Sequence, residues 1–299
     1  MIQDIFPHKL NNHYDPDAVP NADSIILCFT EEGILCKLPL ETDAEGTEKE
    51  GADTGKTEDA FLLPRLQEIT DSGVTTAGDD FLYLFSMDRT GYFLFRNENI
   101  PNLHGFKIHS LRALREKASV PVHLMFALYT GRQLAAWYRN NRYCGRCGAL
   151  TAPDAKERAI RCQACGQLVY PRINPAVIVG VTHEDRLLLT KYRTGFPHYA
   201  LVAGFTEIGE TLEETVAREV MEETGLKVKN IRYYKSQPWG IADDLLAGFY
   251  CEADGSTEIC MDSSELKLAE WKRREEIELQ PDDYSLTNEM MRRFKEGLG

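Results

Sequence analysis

The stretch that decides the fold is GFTEIGETLEETVAREVMEETGL, residues 204–226. Its apolar and polar residues recur with helical spacing, which predicts an amphipathic helix over most of the stretch. On that helix Glu219, Glu222 and Glu223 occupy positions i, i+3 and i+4, so their carboxylates share one face. The sequence therefore places three negative charges side by side.

Like charges at this spacing repel each other by a few tenths of a kcal/mol per pair, so an exposed helix gains nothing from them. A bound divalent cation would reverse that effect. Carboxylate oxygens are hard ligands and suit Mg²⁺ or Mn²⁺, which in turn bind phosphate oxygens. Three glutamates alone are more often a solvated helix face than a metal site, and the rest of the stretch has to decide between the two.

The whole stretch reads G-x5-E-x7-R-E-U-x-E-E-x-G-U, where U is an aliphatic residue, and every fixed position is filled. This pattern resembles the signature of the Nudix family, hydrolases of nucleoside diphosphates linked to another group. The resemblance implies an α/β/α sandwich with a mixed sheet, in which the loop–helix–loop carries metal and diphosphate. It also implies that Glu219, Glu222 and Glu223 are metal ligands and that Glu210 and Arg218 support their geometry. A further carboxylate outside the motif is expected at Glu265, with Glu270 as the second choice.

Four cysteines form a compact group in YCGRCGALTAPDAKERAIRCQACGQLVYP. Two C-x2-C pairs, Cys144/Cys147 and Cys162/Cys165, are separated by fourteen residues. Four thiolates at this spacing complete a tetrahedral zinc shell and leave no open position for chemistry, so we expect structural Zn²⁺. The alternative, a ribbon that has lost its metal, stays open, and so does nucleic-acid binding by the basic residues around the cysteines.

Composition limits the remaining function classes. The 299 residues carry a formal net charge of −13, and an acidic surface repels nucleic-acid phosphates, which argues against a general DNA or RNA coat protein. The sequence has no apolar run of about 18 residues and no basic-then-apolar leader, so neither a membrane span nor a secretory signal is expected. We therefore expect a cytoplasmic protein.

The chain is predicted to contain three parts. Residues 1–140 show short apolar runs separated by turn residues and are expected to form a β-rich domain, with an acidic, solvated loop at 41–60. A helix, interrupted near Gly131, should end this domain. Residues 141–169 form the zinc ribbon. Residues 170–299 form the Nudix domain.

This order of domains resembles the NAD(H) pyrophosphatases of the Nudix family, and the segments YPRINPAVIVGV and SQPW, residues 236–239, extend the resemblance. It implies hydrolysis of NAD(H) to AMP and nicotinamide mononucleotide, removal of NAD caps from RNA, and a homodimer. Aromatic side chains of that family stack on a base of the dinucleotide, a contribution of about 1–3 kcal/mol per base. The expected substrate-binding residues are Phe205, Tyr170, Gln237, Trp239, Ala203 and Gly204.

One departure bears on the substrate. The family continues SQPW with Pro-Phe-Pro, any residue and Ser, whereas this chain has Gly240, Ile241, Ala242, Asp243 and Asp244. The change leaves the metal chemistry untouched and weakens the expectation of NAD(H). ADP-ribose or other dinucleotides are the alternative substrates, and a non-catalytic nucleotide sensor is the alternative class of protein.

Overall fold

The computed structural model describes residues 1–39, 60–97, 99–117 and 120–298. The predicted acidic loop 41–60 therefore lies outside the described residues, except for residue 60. The chain divides into two compact units, one of Ile5–Pro171 and one that joins Met1–Asp4 to Arg172–Gly299. The predicted three-part division with its own ribbon domain stays a prediction.

The unit Ile5–Pro171 is rich in strands, as expected. A four-stranded sheet has the order β1-β4-β5-β2, a pair is formed by β3 and β6, and a three-stranded ribbon has the order β7-β8-β9. The strands are β1 (Leu10–Asn11), β2 (Ile25–Leu27), β3 (Ile34–Cys36), β4 (Phe81–Met87), β5 (Thr90–Phe95), β6 (Lys107–His109), β7 (Thr151–Pro153), β8 (Ile160–Cys162) and β9 (Leu168–Val169). The helices are α1 (Leu66–Asp71), α2 (Leu111–Arg115) and α3 (Val122–Asn140), with a short 3-10 helix at Gly78–Asp80.

Helix α3 corrects one expectation, because it runs without a break through Gly131. The glycine is there for packing: a Cβ at this position would lie 2.5 Å from the Leu27 Cδ1 atom. A glycine within a helix costs roughly 1 kcal/mol relative to alanine, and here the close approach of β2 offsets that cost.

The second unit is built on a six-stranded mixed sheet. Its main path is β13-β14-β10-β11-β15, and β12 pairs with the first half of β10. Only β10 and β14 run parallel among the pairs of this sheet. The strands are β10 (Asn174–His183), β11 (Arg186–Tyr192), β12 (Val202–Phe205), β13 (Val228–Trp239), β14 (Asp244–Ala253) and β15 (Leu266–Arg273); the helices are α4 (Leu212–Thr224) and α5 (Leu286–Lys295), and a 3-10 helix spans Arg274–Glu276.

Each face of this sheet is covered by one helix, which gives the predicted α/β/α sandwich. On one face Val216 and Val220 of α4 pack into a buried cluster with alternate residues of the strands, such as Val177. On the other face Met290 and Phe294 of α5 pack against the intervening residues, such as Ile178. Because successive side chains of a strand point to opposite faces of the sheet, each strand contributes residues to both cores.

Helix α4 is fixed at both ends by its own sequence. Thr211 caps the first turn: its hydroxyl accepts from the Glu214 backbone N–H, and the Glu214 side chain accepts in return from the Thr211 N–H. Gly225 ends the helix in the left-handed conformation, with φ of 72°. No helix in the described ranges has both the length and the apolar character needed to cross a membrane.

Candidate active site and zinc centre

Arg218 organises the carboxylates of α4. Its guanidinium forms a two-pronged contact with Glu210, Nε to Oε1 at 2.6 Å and Nη2 to Oε2 at 2.9 Å. Its Nη1 donates to Glu219 at 2.8 Å and to Glu222 at 2.9 Å. This pairing lowers the pKa of Glu210 to about 2, so Glu210 stays charged at any physiological pH.

Arg218 is anchored at a fourth point, because its Nη2 also donates to the backbone carbonyl of Phe205 at 2.9 Å. One side chain therefore joins α4, the loop before it and the end of β12. This is the contact expected of Arg218 from the sequence, with one addition: the guanidinium supplies the positive charge that relieves repulsion between Glu219 and Glu222.

Gly204 brings the backbone of β12 against Glu219. A Cβ at Gly204 would lie 1.9 Å from Glu219 Cδ and 2.1 and 2.2 Å from its two carboxylate oxygens. No side chain other than hydrogen fits at this position while Glu219 keeps its place. The glycine that opens the motif is required by this contact and not by an unusual backbone angle.

Glu223 differs from its neighbours because it is buried, with 3% of its surface exposed. Its Oε2 atom has no hydrogen-bond partner, and burial, followed by the charges of Glu219 and Glu265, raises the pKa of this carboxyl to about 8. Burial also raises the pKa of Glu219. An unpartnered buried carboxylate is costly unless a positive charge meets it, so these residues fit a bound divalent cation.

The structure brings Glu265 to this cluster and takes Glu270 away from it. Glu265 acts on the pKa of both Glu219 and Glu223, although it lies in the loop before β15. Glu270 pairs with Leu189 in the sheet and so points to the α5 face, where the Tyr199 hydroxyl donates to it at 2.5 Å and Lys272 lies 3.3 Å away. Glu265 is thus the fourth carboxylate whose charge acts on this cluster.

Tyr192, at the end of β11, was not singled out by the sequence. Burial raises the pKa of its phenol, and Glu223, Glu219 and Glu265 add to the shift. Strand alternation explains why Tyr192 lies near these carboxylates, since Leu188 faces α4 and Tyr192 lies four residues further on the same face. The periodicity of LLLTKY was the one signal that could have identified it.

The residues expected to bind substrate are not equivalent. Phe205 is 53% exposed and presents its ring to solvent, as does Tyr170 at 54% in the other unit. Trp239 is half-buried against the α5-side core. The backbone of Ala203 lies next to Glu223.

Gln237 has a different place from the one expected. It is fully buried, its Nε2 donates to Gln3 and to the Tyr284 carbonyl at 2.8 Å each, and its Oε1 accepts from the Leu286 N–H at 2.7 Å. Both polar atoms of the amide are hydrogen-bonded within the fold. The side chain fixes the start of α5 and the N-terminal segment, and we assign it no contact with a ligand.

The four cysteines converge as a zinc site requires. Within the part of the chain that the structure describes, they are the one group of three or more His, Cys, Asp or Glu side chains with all ligand atoms within 4.8 Å of one another. The Sγ atoms of Cys144 and Cys165 are 3.7 Å apart and those of Cys147 and Cys162 are 3.5 Å apart. Tetrahedral zinc with bonds of about 2.3 Å needs roughly 3.8 Å, so the quartet fits the ion.

The backbone around these thiols favours thiolates. The N–H groups of Cys165 and Ala164 point at the Cys162 sulfur and lower its pKa to about 6. Two of the five basic residues near the quartet are already used in the fold: Arg161 binds Asp154 at 2.6 Å, and Arg158 donates to the Leu84 carbonyl at 2.6 Å. Arg142, Arg146 and Lys156 remain exposed.

Comparison with known proteins agrees with this geometry. Residues 172–294 match the model of the NUDIX domain, and residues 139–170 match the NADH pyrophosphatase zinc ribbon domain. The chain belongs to the Nudix family, in the type that carries an NADH pyrophosphatase zinc ribbon. The predicted family, fold class and ribbon are thereby confirmed.

Two similar proteins are more specific. Both of these relatives are described as NAD-capped RNA hydrolase NudC; one is from Escherichia coli O1:K1 / APEC and the other from Escherichia coli strain SMS-3-5 / SECEC. Each is 43% identical over 176 residues, which is 58% of this chain and 67% of the relative. Among solved structures, a NUDIX hydrolase from Nitrosomonas europaea is 21% identical and covers 52% of this chain and 91% of its own, with a TM-score of 0.46.

Proposed function

We propose that this protein hydrolyses the diphosphate bond of NAD(H) to AMP and nicotinamide mononucleotide, and that it removes NAD caps from RNA. The observation that carries the proposal is the cluster of Glu219, Glu223 and Glu265 beside Gly204, tied to the rest of the motif by Arg218. Relatives named NAD-capped RNA hydrolase add support at 43% identity.

The carboxylates Glu219, Glu222, Glu223 and Glu265 would hold the catalytic cations, for which we propose Mg²⁺ or Mn²⁺ on the basis of the hard oxygen ligands. When bound, such ions neutralise the diphosphate and act as Lewis acids on it. The Zn²⁺ of the ribbon is closed by four thiolates and has a structural role.

The chain itself contributes placement and proton transfer. Arg218 keeps Glu219 and Glu222 in fixed rotamers by donating to both. Glu265 is an exposed member of the carboxylate cluster and is the candidate base that takes a proton from the attacking water. In the balanced reaction, the water oxygen forms a new P–O bond, the bridging P–O bond breaks, and each product leaves with one phosphate.

Binding of the dinucleotide is proposed to use the exposed ring of Phe205 and, across a homodimer, the partner subunit's Tyr170 as stacking surfaces. The ring of Trp239 and the backbone at Ala203 and Gly204 complete this set. Following the family resemblance, we propose a homodimer, which light scattering after gel filtration tests by returning twice the chain mass of 33.9 kDa. We also propose a cytoplasmic location, where a reducing environment keeps the zinc thiolates intact.

The test is a substrate panel: NADH, NAD⁺, ADP-ribose, FAD and diadenosine polyphosphates, each with Mg²⁺ or Mn²⁺, with products separated by chromatography. Release of AMP and nicotinamide mononucleotide supports the proposal. Faster cleavage of ADP-ribose or another dinucleotide would show that this compound, and not NAD(H), is the preferred substrate. Tight binding without turnover would indicate a nucleotide sensor.

Matched variants of α4 separate catalysis from folding. Glu222→Gln removes an exposed carboxylate from the cluster and should abolish turnover with little change in thermal stability. Glu213→Gln removes an equally exposed carboxylate from the first turn of the same helix and should leave turnover intact. Equal activity of the two variants would contradict the assignment.

Variants of the zinc ribbon test whether it binds the RNA of a capped substrate. Neutralising the exposed Arg142, Arg146 and Lys156 should slow the cleavage of NAD-capped RNA and leave free NAD unaffected, because the lost contacts are to phosphates beyond the cap. Neutralising the exposed Lys107 and Arg112 of the same unit is the control. If both variants cleave capped RNA at the wild-type rate, the ribbon does not bind the RNA.

A further inference from the structure

The segment after SQPW is a tight hairpin that places two carboxylates in succession. Trp239 and Asp244 face each other across β13 and β14, and residues 240–243 form the turn between them. Asp243 has φ of 62°, a left-handed conformation that aspartate and asparagine tolerate better than most residues. The turn therefore forms without the prolines of the family pattern.

Both carboxylates have a buried oxygen atom that no donor reaches. The Oδ1 atoms of Asp243 and Asp244 are buried without a hydrogen-bond partner, and Asp244 as a whole is 7% exposed. Asn174 lies beside Asp244, and Arg172 is the nearby positive group. Two carboxylates and one guanidinium leave a net negative charge at this end of the sheet.

Asp244 lies on the same face of the sheet as the aromatic rings. Trp239, Asp244 and Asn174 form one row across β13, β14 and β10, on the face covered by α5. Phe205 faces the same side, because it pairs with Ala176 of the α5-side core. A flat ring held against Trp239 therefore lies beside Asp244.

We propose that Asp243 and Asp244 make this protein favour the oxidised, positively charged nicotinamide ring over the neutral reduced ring. The inference rests on the proposed function. An aromatic surface backed by a carboxylate attracts a cation and gives no such advantage to a neutral ring of the same shape. A carboxylate that only accepted a hydrogen bond from the carboxamide would act on both forms alike.

Burial supports this reading, because a buried carboxylate with one oxygen that lacks a hydrogen-bond partner gains most from a cation that arrives with the ligand. Burial, with a smaller contribution from Asp243, raises the pKa of Asp244 to about 6, and the carboxyl is therefore ionised at neutral pH. Its charge is available to the substrate under ordinary assay conditions.

The experiment is a competition between NAD⁺ and NADH in one reaction, with the two mononucleotide products separated by chromatography. Their rate ratio at equal concentrations gives the ratio of kcat/KM. We expect the wild type to favour NAD⁺ and the ratio to fall about tenfold in Asp244→Asn, a change of about 1.4 kcal/mol. Asp243→Asn, which keeps the left-handed turn, should lower the ratio in the same direction.

The matched control is Asp254→Asn, which removes one charge just beyond the opposite end of β14, where Asp254 pairs with Lys229. Its ratio should equal that of the wild type. A wild type that favours NADH, or an Asp244→Asn variant that slows both substrates equally, would overturn the inference while the proposed function stands. Absence of turnover with either substrate would overturn the proposed function itself.

Discussion

Replacing Gly204 by alanine tests whether the approach of β12 to Glu219 sets the catalytic geometry. The new Cβ would lie 1.9 Å from Glu219 Cδ, whereas ordinary contact begins at 3.4 Å. The carboxylate therefore has to move by about 1.5 Å. The atoms in the way are the far end of a flexible side chain, so the carboxylate moves and the strand stays.

A displacement of this size has a predictable effect on rate. Misplacing a catalytic group by about 1 Å costs on the order of 100-fold, which corresponds to about 2.7 kcal/mol of transition-state stabilisation. We expect Gly204→Ala to lower kcat/KM for NAD(H) by at least about 100-fold. Thermal stability should change little, since alanine is acceptable in a strand and restricts the unfolded chain.

The assay measures kcat/KM and the melting temperature side by side, with Gly180→Ala as the mirror control. A Cβ at Gly180 would meet the Tyr250 ring at 2.7 Å on the α5 face. That ring belongs to the core and cannot swing away, so Gly180→Ala should lose about 1–3 kcal/mol of stability and keep its activity when folded.

The cause is checked in a second background. If the alanine acts by displacing Glu219, then Gly204→Ala should cost almost nothing further in a Glu219→Ala protein, because the displaced group is already gone. An additional 100-fold loss in that background would refute the reasoning, and so would full activity of Gly204→Ala alone.

Four further outcomes are expected. Arg218→Lys should lower kcat/KM by about 10–100-fold, measured at saturating Mg²⁺, because a lysine cannot span the carboxylates that the guanidinium joins. Gln237→Leu should lower the free energy of unfolding by about 1–3 kcal/mol in denaturant titration, since the Leu286 N–H loses its buried acceptor. Cys147→Ser should reduce bound zinc in elemental analysis and lower the melting temperature. Asp244→Asn should be more stable than the wild type at pH 7.5 by up to about 3 kcal/mol. The pKa of Asp244 is raised from 3.8 to about 6 in the folded protein, so wild-type stability falls as the pH rises through this range. The stability advantage of the variant should therefore vanish near pH 4, as measured by denaturant titration at both pH values.

The sequence predicted helix α4 and the position of its carboxylates well because local rules determine them. Helix α4 begins after Thr211 and ends before Gly225, as expected for a threonine N-cap and a glycine C-cap. The i, i+3, i+4 spacing brings Glu219 and Glu222 to the same guanidinium. The four-cysteine site was equally predictable from local sequence, since two tight turns bring its sulfur atoms together.

Prediction was weaker where a residue's role depends on distant neighbours. Gln237 belongs to a recognisable four-residue motif, yet its partners Gln3 and Leu286 lie more than 45 positions away along the chain. Nothing in SQPW reveals that its amide is fully used. Glu270 failed as a metal-ligand candidate for a related reason: the register of β11 with β15 decides its face, and register is a property of the assembled sheet.

The motif on α4 divides its carboxylates between two tasks, and the electrostatics show why both are needed. Glu210 is permanently ionised by Arg218, with a pKa of about 2, and so fixes the guanidinium that positions Glu219 and Glu222. Glu223 is the opposite case, since burial raises its pKa to about 8 and leaves one oxygen without a partner. The first arrangement is complete within the chain, whereas in the second the raised pKa favours the protonated acid until a cation, which we propose, takes the place of the proton. Ordered side chains around an unsatisfied carboxylate are what a metal-dependent hydrolase requires before its ion binds.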